Sequence, residues 1–169
     1  MKTMKTTLPH CLNLVAALAV ALLATPAALA TPAQQAYLKA SNTDPGDQFG
    51  WAVAVSGDTM VIGAWGEGSR APGVNGNQSD KSGDIIGAAY VFVRTDRTWV
   101  QQAYLKASNP DNVDNFGYSV AISGDRIVVG APNEKSNATG VNGNQANNSL
   151  LYAGAAYVFA RHGTAWTQE

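Results

Sequence analysis

A single offset of 67 residues organises this chain. Gln34-Gln35-Ala36-Tyr37-Leu38-Lys39-Ala40-Ser41-Asn42 returns as residues 101–109, Phe49-Gly50 as Phe116-Gly117, and Ser56-Gly57-Asp58 as Ser123-Gly124-Asp125. Gly73-Val74-Asn75-Gly76-Asn77-Gln78 returns as residues 140–145, Gly87-Ala88-Ala89-Tyr90-Val91-Phe92 as residues 154–159, and Trp99 as Trp166. Aligning residues 34–100 with 101–167 needs no insertion and leaves 39 identities. Tandem duplication produces such a pattern, and it restricts the fold to architectures that pack copies of one supersecondary unit.

Each copy reads as four short strands. Residues 35–41 alternate, with Ala36, Leu38 and Ala40 on one side and Tyr37 and Lys39 on the other. Residues 49–55 form a second run. Ser56-Gly57-Asp58 supplies turn chemistry, since glycine accepts positive φ and aspartate can bond the local backbone. Residues 59–64 make the third strand and residues 88–94 the fourth, separated by a long loop rich in Gly, Asn, Asp and Ser. Enrichment in β-branched and aromatic residues favours strands, and no segment after residue 31 carries a helical period. Tandem four-stranded units are the material of β-propellers, so the expected class is all-β, built of four-stranded antiparallel blades. On that architecture Gly63-Ala64 and Gly130-Ala131 are small because strands crowd near the central axis.

These residues resemble the FG-GAP repeat family, the integrin α type of β-propeller, in a secreted, bacterial-style form. Phe49-Gly50 is followed by Gly63-Ala64, and Phe116-Gly117 by Gly130-Ala131-Pro132; Trp65 stands where the first copy would carry proline. The likeness runs over residues 34–169. It implies a propeller, seven-bladed in integrin α subunits, often on extracellular adhesion or ligand-binding proteins and sometimes as an accessory domain of bacterial enzymes. The family's calcium loop, Asp-x-Asp-x-Asp-Gly between the second and third strands, is replaced here by Ser56-Gly57-Asp58 and Ser123-Gly124-Asp125. These are too short to wrap an ion that needs six to eight oxygens. Two copies do not close a ring, and residues 168–169 open a third. The chain is therefore expected to be a fragment of a longer propeller or one of several chains that complete it.

The first 30 residues differ in kind. Lys2 and Lys5 precede an apolar run from Leu12 to Ala24, which leads to Ala28-Leu29-Ala30. That order marks a secretory signal peptide cut after Ala30. A run of about 13 residues is short for a membrane span of roughly 20. Cys11 precedes the apolar run, which argues against lipoprotein attachment. Beyond residue 30 there is no cysteine, and nine Lys and Arg face twelve Asp and Glu. An exported domain of this kind is held by packing rather than disulfides, and its mild acidity argues against a nucleic-acid partner.

Candidate sites are few. Asp44, Asp47, Asp111 and Asp114, with Asn42, Asn109 and Asn115 nearby, offer hard oxygens to calcium; the same residue types also build turns, the reading we favour, and no cofactor is expected. Loops 66–87 and 133–154 exceed what a hairpin needs, and loops on a rigid scaffold are where binding concentrates. Asn75, Asn77 and Gln78, with Asn142, Asn144 and Gln145, suit a polar ligand such as a sugar or a peptide backbone. Three Asn-x-Ser/Thr sites lie at Asn77, Asn137 and Asn147. His162 is the only histidine after residue 30, and Thr95 stands at its place in the first copy. With no nucleophile–base pair and with carboxylates that recur in both copies, no catalytic residue is expected. The functional expectation is a surface-exported module for adhesion to a protein or carbohydrate, joined to further blades in cis or in trans. The alternatives are a purely structural array in a larger surface protein and an accessory domain of a secreted hydrolase.

Overall fold

Eight strands carry the chain: β1 (Ala52–Ser56), β2 (Thr59–Ala64), β3 (Ala88–Thr95), β4 (Thr98–Leu105), β5 (Ser119–Ser123), β6 (Arg126–Ala131), β7 (Ala155–His162) and β8 (Ala165–Gln168). The structure, a computed structural model, describes residues 33–169, so the expected signal peptide over residues 1–30 lies outside the described residues. The strands form two four-stranded antiparallel meanders, β1-β2-β3-β4 and β5-β6-β7-β8. There is no helix among the described residues. These are propeller blades, and the two of them do not close on each other.

Local chemistry places the first hairpins. Gly57 and Gly124 open two-residue loops with φ of +57° and +56°, a geometry that suits a β-hairpin and that glycine adopts at little cost. Along β6 the inward side chains are Ile127, Val129 and Ala131, with Arg126 and Val128 turned outward.

The blade frame is offset from the repeat frame. The strand expected at residues 35–41 is not formed, and residues 33–40 carry no regular structure. The equivalent residues of the second copy do form one. They are the end of β4, where Ala103, Tyr104 and Leu105 pair with Val91, Tyr90 and Ala89 of the first blade. A blade's outer strand thus comes from the repeat that follows it. Among the described residues no β3-type strand pairs with residues 35–41, and an extended segment alone gains no ladder hydrogen bonds.

The blades stack through one apolar cluster. Val61, Val91 and Leu105 from the first meet Phe116, Ile127 and Phe159 from the second, all fully buried. Each such side chain contributes about 1.5–3 kcal/mol. A second cluster, with Ile62, Tyr90, Phe92 and Tyr104, covers the opposite face of the first blade, where Leu38 and Phe49 pack against it.

The stacking also explains the spacing of Phe-Gly and Gly-Ala. The Gly117 amide donates to Gly130 O at 3.1 Å within its own blade. Across the junction a Cβ at Gly63 would sit 2.0 Å from Gly117 O, and one at Gly117 would sit 2.1 Å from Ala88 O. The crowding at Gly63 therefore comes from the neighbouring blade's Phe-Gly backbone rather than from a central axis. Gly130 is crowded by Ser119 Oγ of its own blade instead.

Candidate functional site

The two edges of the blades differ. One carries only two-residue hairpin turns, at 57–58, 96–97, 124–125 and 163–164. The other carries both long loops, between β2 and β3 and between β6 and β7, together with the segments leading into β1 and β5.

A buried polar network underlies the loop edge. In the first blade Asn42 Nδ2 donates to Glu67 Oε1 at 2.9 Å and to Gln78 O at 3.0 Å, while Tyr90 Oη donates to Asn42 Oδ1 at 2.6 Å. Glu67 Oε2 accepts from the Ser69 amide at 3.1 Å and from Lys106 Nζ at 2.8 Å, and both charged side chains are fully buried. The second blade repeats most of this. Asn109 Nδ2 donates to Glu134 Oε1 at 3.0 Å and to Gln145 O at 3.1 Å, and Tyr157 Oη donates to Asn109 Oδ1 at 2.7 Å. Burial raises the Tyr90, Tyr104 and Tyr157 phenols well above their ordinary value, aided by the nearby Glu67 or Glu134 carboxylates. Burial also lowers the Lys106 ammonium, and Glu67 opposes that shift.

Several candidate side chains are engaged in holding loops. Asn75 Oδ1 accepts from the Tyr104 amide at 2.9 Å, which ties its loop to β4. Asn77 Oδ1 accepts from the Ser79 amide at 3.0 Å and Asn144 Oδ1 from the Ala146 amide at 3.1 Å, both as Asx turns. Gln78 and Gln145 accept from Ser41 and Ser108. Asn142 is exposed and has φ of +54°. Asn142 and Gln145 both line a cavity of about 430 Å³ beside β7, together with Glu134, Gly140 and Tyr157.

The four aspartates lie at the starts of the Phe-Gly loops. Asp47 Oδ2 accepts from the Asp44 amide at 2.8 Å and Asp114 Oδ2 from the Asp111 amide at 2.9 Å. Lys81 pairs with Asp44, and Lys135 with Asp114 at 2.7 Å. Burial raises the Asp47 and Asp114 carboxyls above the usual carboxylate range. Among the described residues no three His, Asp or Glu side chains gather around one point.

Two features escape the sequence reading. One is the network itself, whose members recur at the 67-residue offset but resemble ordinary turn residues. The other is an aromatic platform. Trp51 lies 5.8 Å from Trp65 and 5.5 Å from Tyr118, centroid to centroid, and Trp51 and Tyr118 remain 51% and 44% exposed. The available signal was an aromatic residue after Phe-Gly in both copies.

A family model, the FG-GAP repeat, matches residues 32–92 and 99–159. No curated protein matches the chain. The matched segments carry the Phe-Gly and Gly-Ala steps whose backbones interlock at the blade junction, and they span most of the sequence; the chain belongs to the FG-GAP repeat family and is a β-propeller-type repeat module.

Proposed function

We propose that this chain is an exported, non-catalytic binding module that engages an extracellular protein or carbohydrate through its loop edge. The supporting observation is the asymmetry of the blades. Every long loop and the Trp51–Trp65–Tyr118 platform lie on one edge, while tight hairpins close the other. FG-GAP repeats typically occur in extracellular or surface proteins and are generally non-catalytic. A rigid sheet that presents polar loops beside exposed aromatic rings has the composition of a recognition surface. Asn and Gln offer paired donors and acceptors, and Trp and Tyr offer flat faces to sugar rings or apolar side chains.

The test is a panel of immobilised glycans and extracellular-matrix proteins probed with the labelled chain. Trp51→Ala combined with Tyr118→Ala, and separately Asn142→Ala with Asn144→Ala and Gln145→Ala, should weaken any captured partner by roughly 30-fold, the scale of a 2 kcal/mol hot spot. Asp96→Ala on the hairpin edge should leave it unchanged. Loop and platform variants that fold and bind as the parent does would remove this reading.

A further inference from the structure

In the first blade one carboxylate holds two groups that can react with each other. Glu67 Oε2 accepts from Lys106 Nζ at 2.8 Å, and Glu67 Oε1 accepts from Asn42 Nδ2 at 2.9 Å. The Asn42 carbonyl oxygen in turn accepts from Tyr90 Oη at 2.6 Å. Four separate parts of the blade deliver these side chains: the segment before β1, the start of the long loop after β2, the first half of β3, and the residue that follows β4.

As a plain ion pair the site is poorly made. Lys106, Glu67 and Tyr90 are fully buried. An ammonium has three N–H donors, and among the described residues Lys106 uses one, on Glu67. A buried charge so thinly solvated favours its neutral form, and burial lowers the Lys106 ammonium accordingly. A neutral lysine amine is a nucleophile. The Asn42 carboxamide is arranged as its electrophile. Tyr90 draws electron density onto the carbonyl oxygen, and the amide nitrogen faces a carboxyl group that can protonate it. Tyr90 keeps its proton for this task because burial raises its phenol.

We propose that Lys106 and Asn42 join in a side-chain amide bond that the chain forms on itself, with Glu67 carrying the protons. The Lys106 ammonium gives one proton to Glu67 Oε2, and the freed lone pair attacks Cγ of Asn42. The tetrahedral intermediate places its negative charge on the oxygen that Tyr90 bonds. Glu67 passes its proton to Nδ2, the Cγ–Nδ2 bond breaks, and ammonia leaves. The second proton lost from Nζ goes through Glu67 to the ammonia. One ammonium is released, Glu67 returns as a carboxylate, and no co-reactant is consumed. Holding both partners on one carboxylate supplies the proximity that the step requires.

The link closes residues 42–106 into one covalent loop that contains β1 to β4 entire. Tension applied to the chain beyond either residue then runs through an amide bond rather than through the strand ladders of the blade. The link also cuts the freedom of the unfolded chain, as a cross-link does. The Lys106–Glu67 pair is the state before closure, and once linked Lys106 no longer titrates. None of this requires a ligand at the loop edge.

Tandem mass spectrometry of the purified chain after tryptic digestion tests the link. The wild type should resist cleavage after Lys106 and should yield residues 40–70 joined to residues 98–126, lighter than their sum by one ammonia. Lys106→Arg keeps a buried cation without an attacking amine, and Glu67→Gln removes the proton carrier. Each should give separate peptides while retaining the strand signal in circular dichroism. Tyr90→Phe should slow linking roughly a hundredfold, read as the linked fraction at intervals after a pulse of cell-free synthesis. A wild type that is cleaved at Lys106 and carries the mass of the unlinked sequence overturns the proposal, whether or not the variants fold. Linking at the wild-type rate in Glu67→Gln or Tyr90→Phe overturns it as well.

Discussion

Lys39 and Lys106 occupy identical sequence contexts but different physical ones. Lys106 is fully buried against Glu67, whereas Lys39 is exposed. Removing one partner of a buried pair leaves an uncompensated charge in a poorly solvated site, so Lys106→Ala should cost about 3–5 kcal/mol. Lys39→Ala should stay within about 0.5 kcal/mol. Denaturant titration of both variants checks the contrast, and equal losses would mean that Lys106 is not paired in the folded chain. The sequence could not separate these lysines, because the difference arises from which strand lies alongside, not from neighbours along the chain. The candidate residues show the same limit. Asn75 read as a ligand contact, yet its amide oxygen is bonded to β4, 29 residues away. That partner is set by tertiary register, which local composition does not encode.

At the scale of elements, β1, β2 and β3 were legible because Ser-Gly-Asp marks the first hairpin and because alternation marks the faces. The hairpin between β3 and β4 was not. Its loop is Asp96-Arg97, with φ of +50° and +71° at two non-glycine residues, and it carries no glycine to mark the turn. Without that mark, residues 98–105 do not read as the outer strand of the first blade, and the run at residues 35–41 is assigned to that blade instead. The second copy has Gly163 at the first loop position, with φ of +65°. Left-handed backbone costs a side-chain-bearing residue roughly 1 kcal/mol relative to glycine. Arg97 is exposed, so Arg97→Gly removes little packing and should stabilise the chain by roughly 0.5–1 kcal/mol. A fall in the denaturation midpoint would show that the Arg97 side chain contributes more than its backbone strain costs.

For the molecule as a whole, the junction between blades is where stability concentrates. Phe116 is fully buried there, edge-on to Tyr157 at 5.4 Å and to Phe159 at 6.1 Å, with its amide donating to Ile86 O of the first blade at 2.9 Å. Phe116→Ala should cost about 3–5 kcal/mol, and a loss below about 1 kcal/mol would contradict its placement in the core. The buried tyrosines add a pH dependence with a definite sign. Tyr90, Tyr104 and Tyr157 keep their protons in the folded chain beyond the usual phenol value of about 10. Below that value both states are protonated and these groups add no slope. Above it the unfolded chain releases protons that the folded chain retains, so stability falls as pH rises, by about 1.4 kcal/mol per phenol per pH unit. Lys106 acts in the opposite sense at lower pH. Its folded value is depressed, so beneath the ordinary lysine value of about 10.4 the unfolded chain binds more protons and stability climbs with pH. Past that value only the phenols remain, and three outweigh one. Denaturant midpoints should therefore hold or rise slightly towards pH 10 and then drop steeply, with phenolate absorbance from these three residues appearing together with loss of the strand signal. Phenolate formation from them in a chain that stays folded would mean that the network under the loop edge is open to solvent.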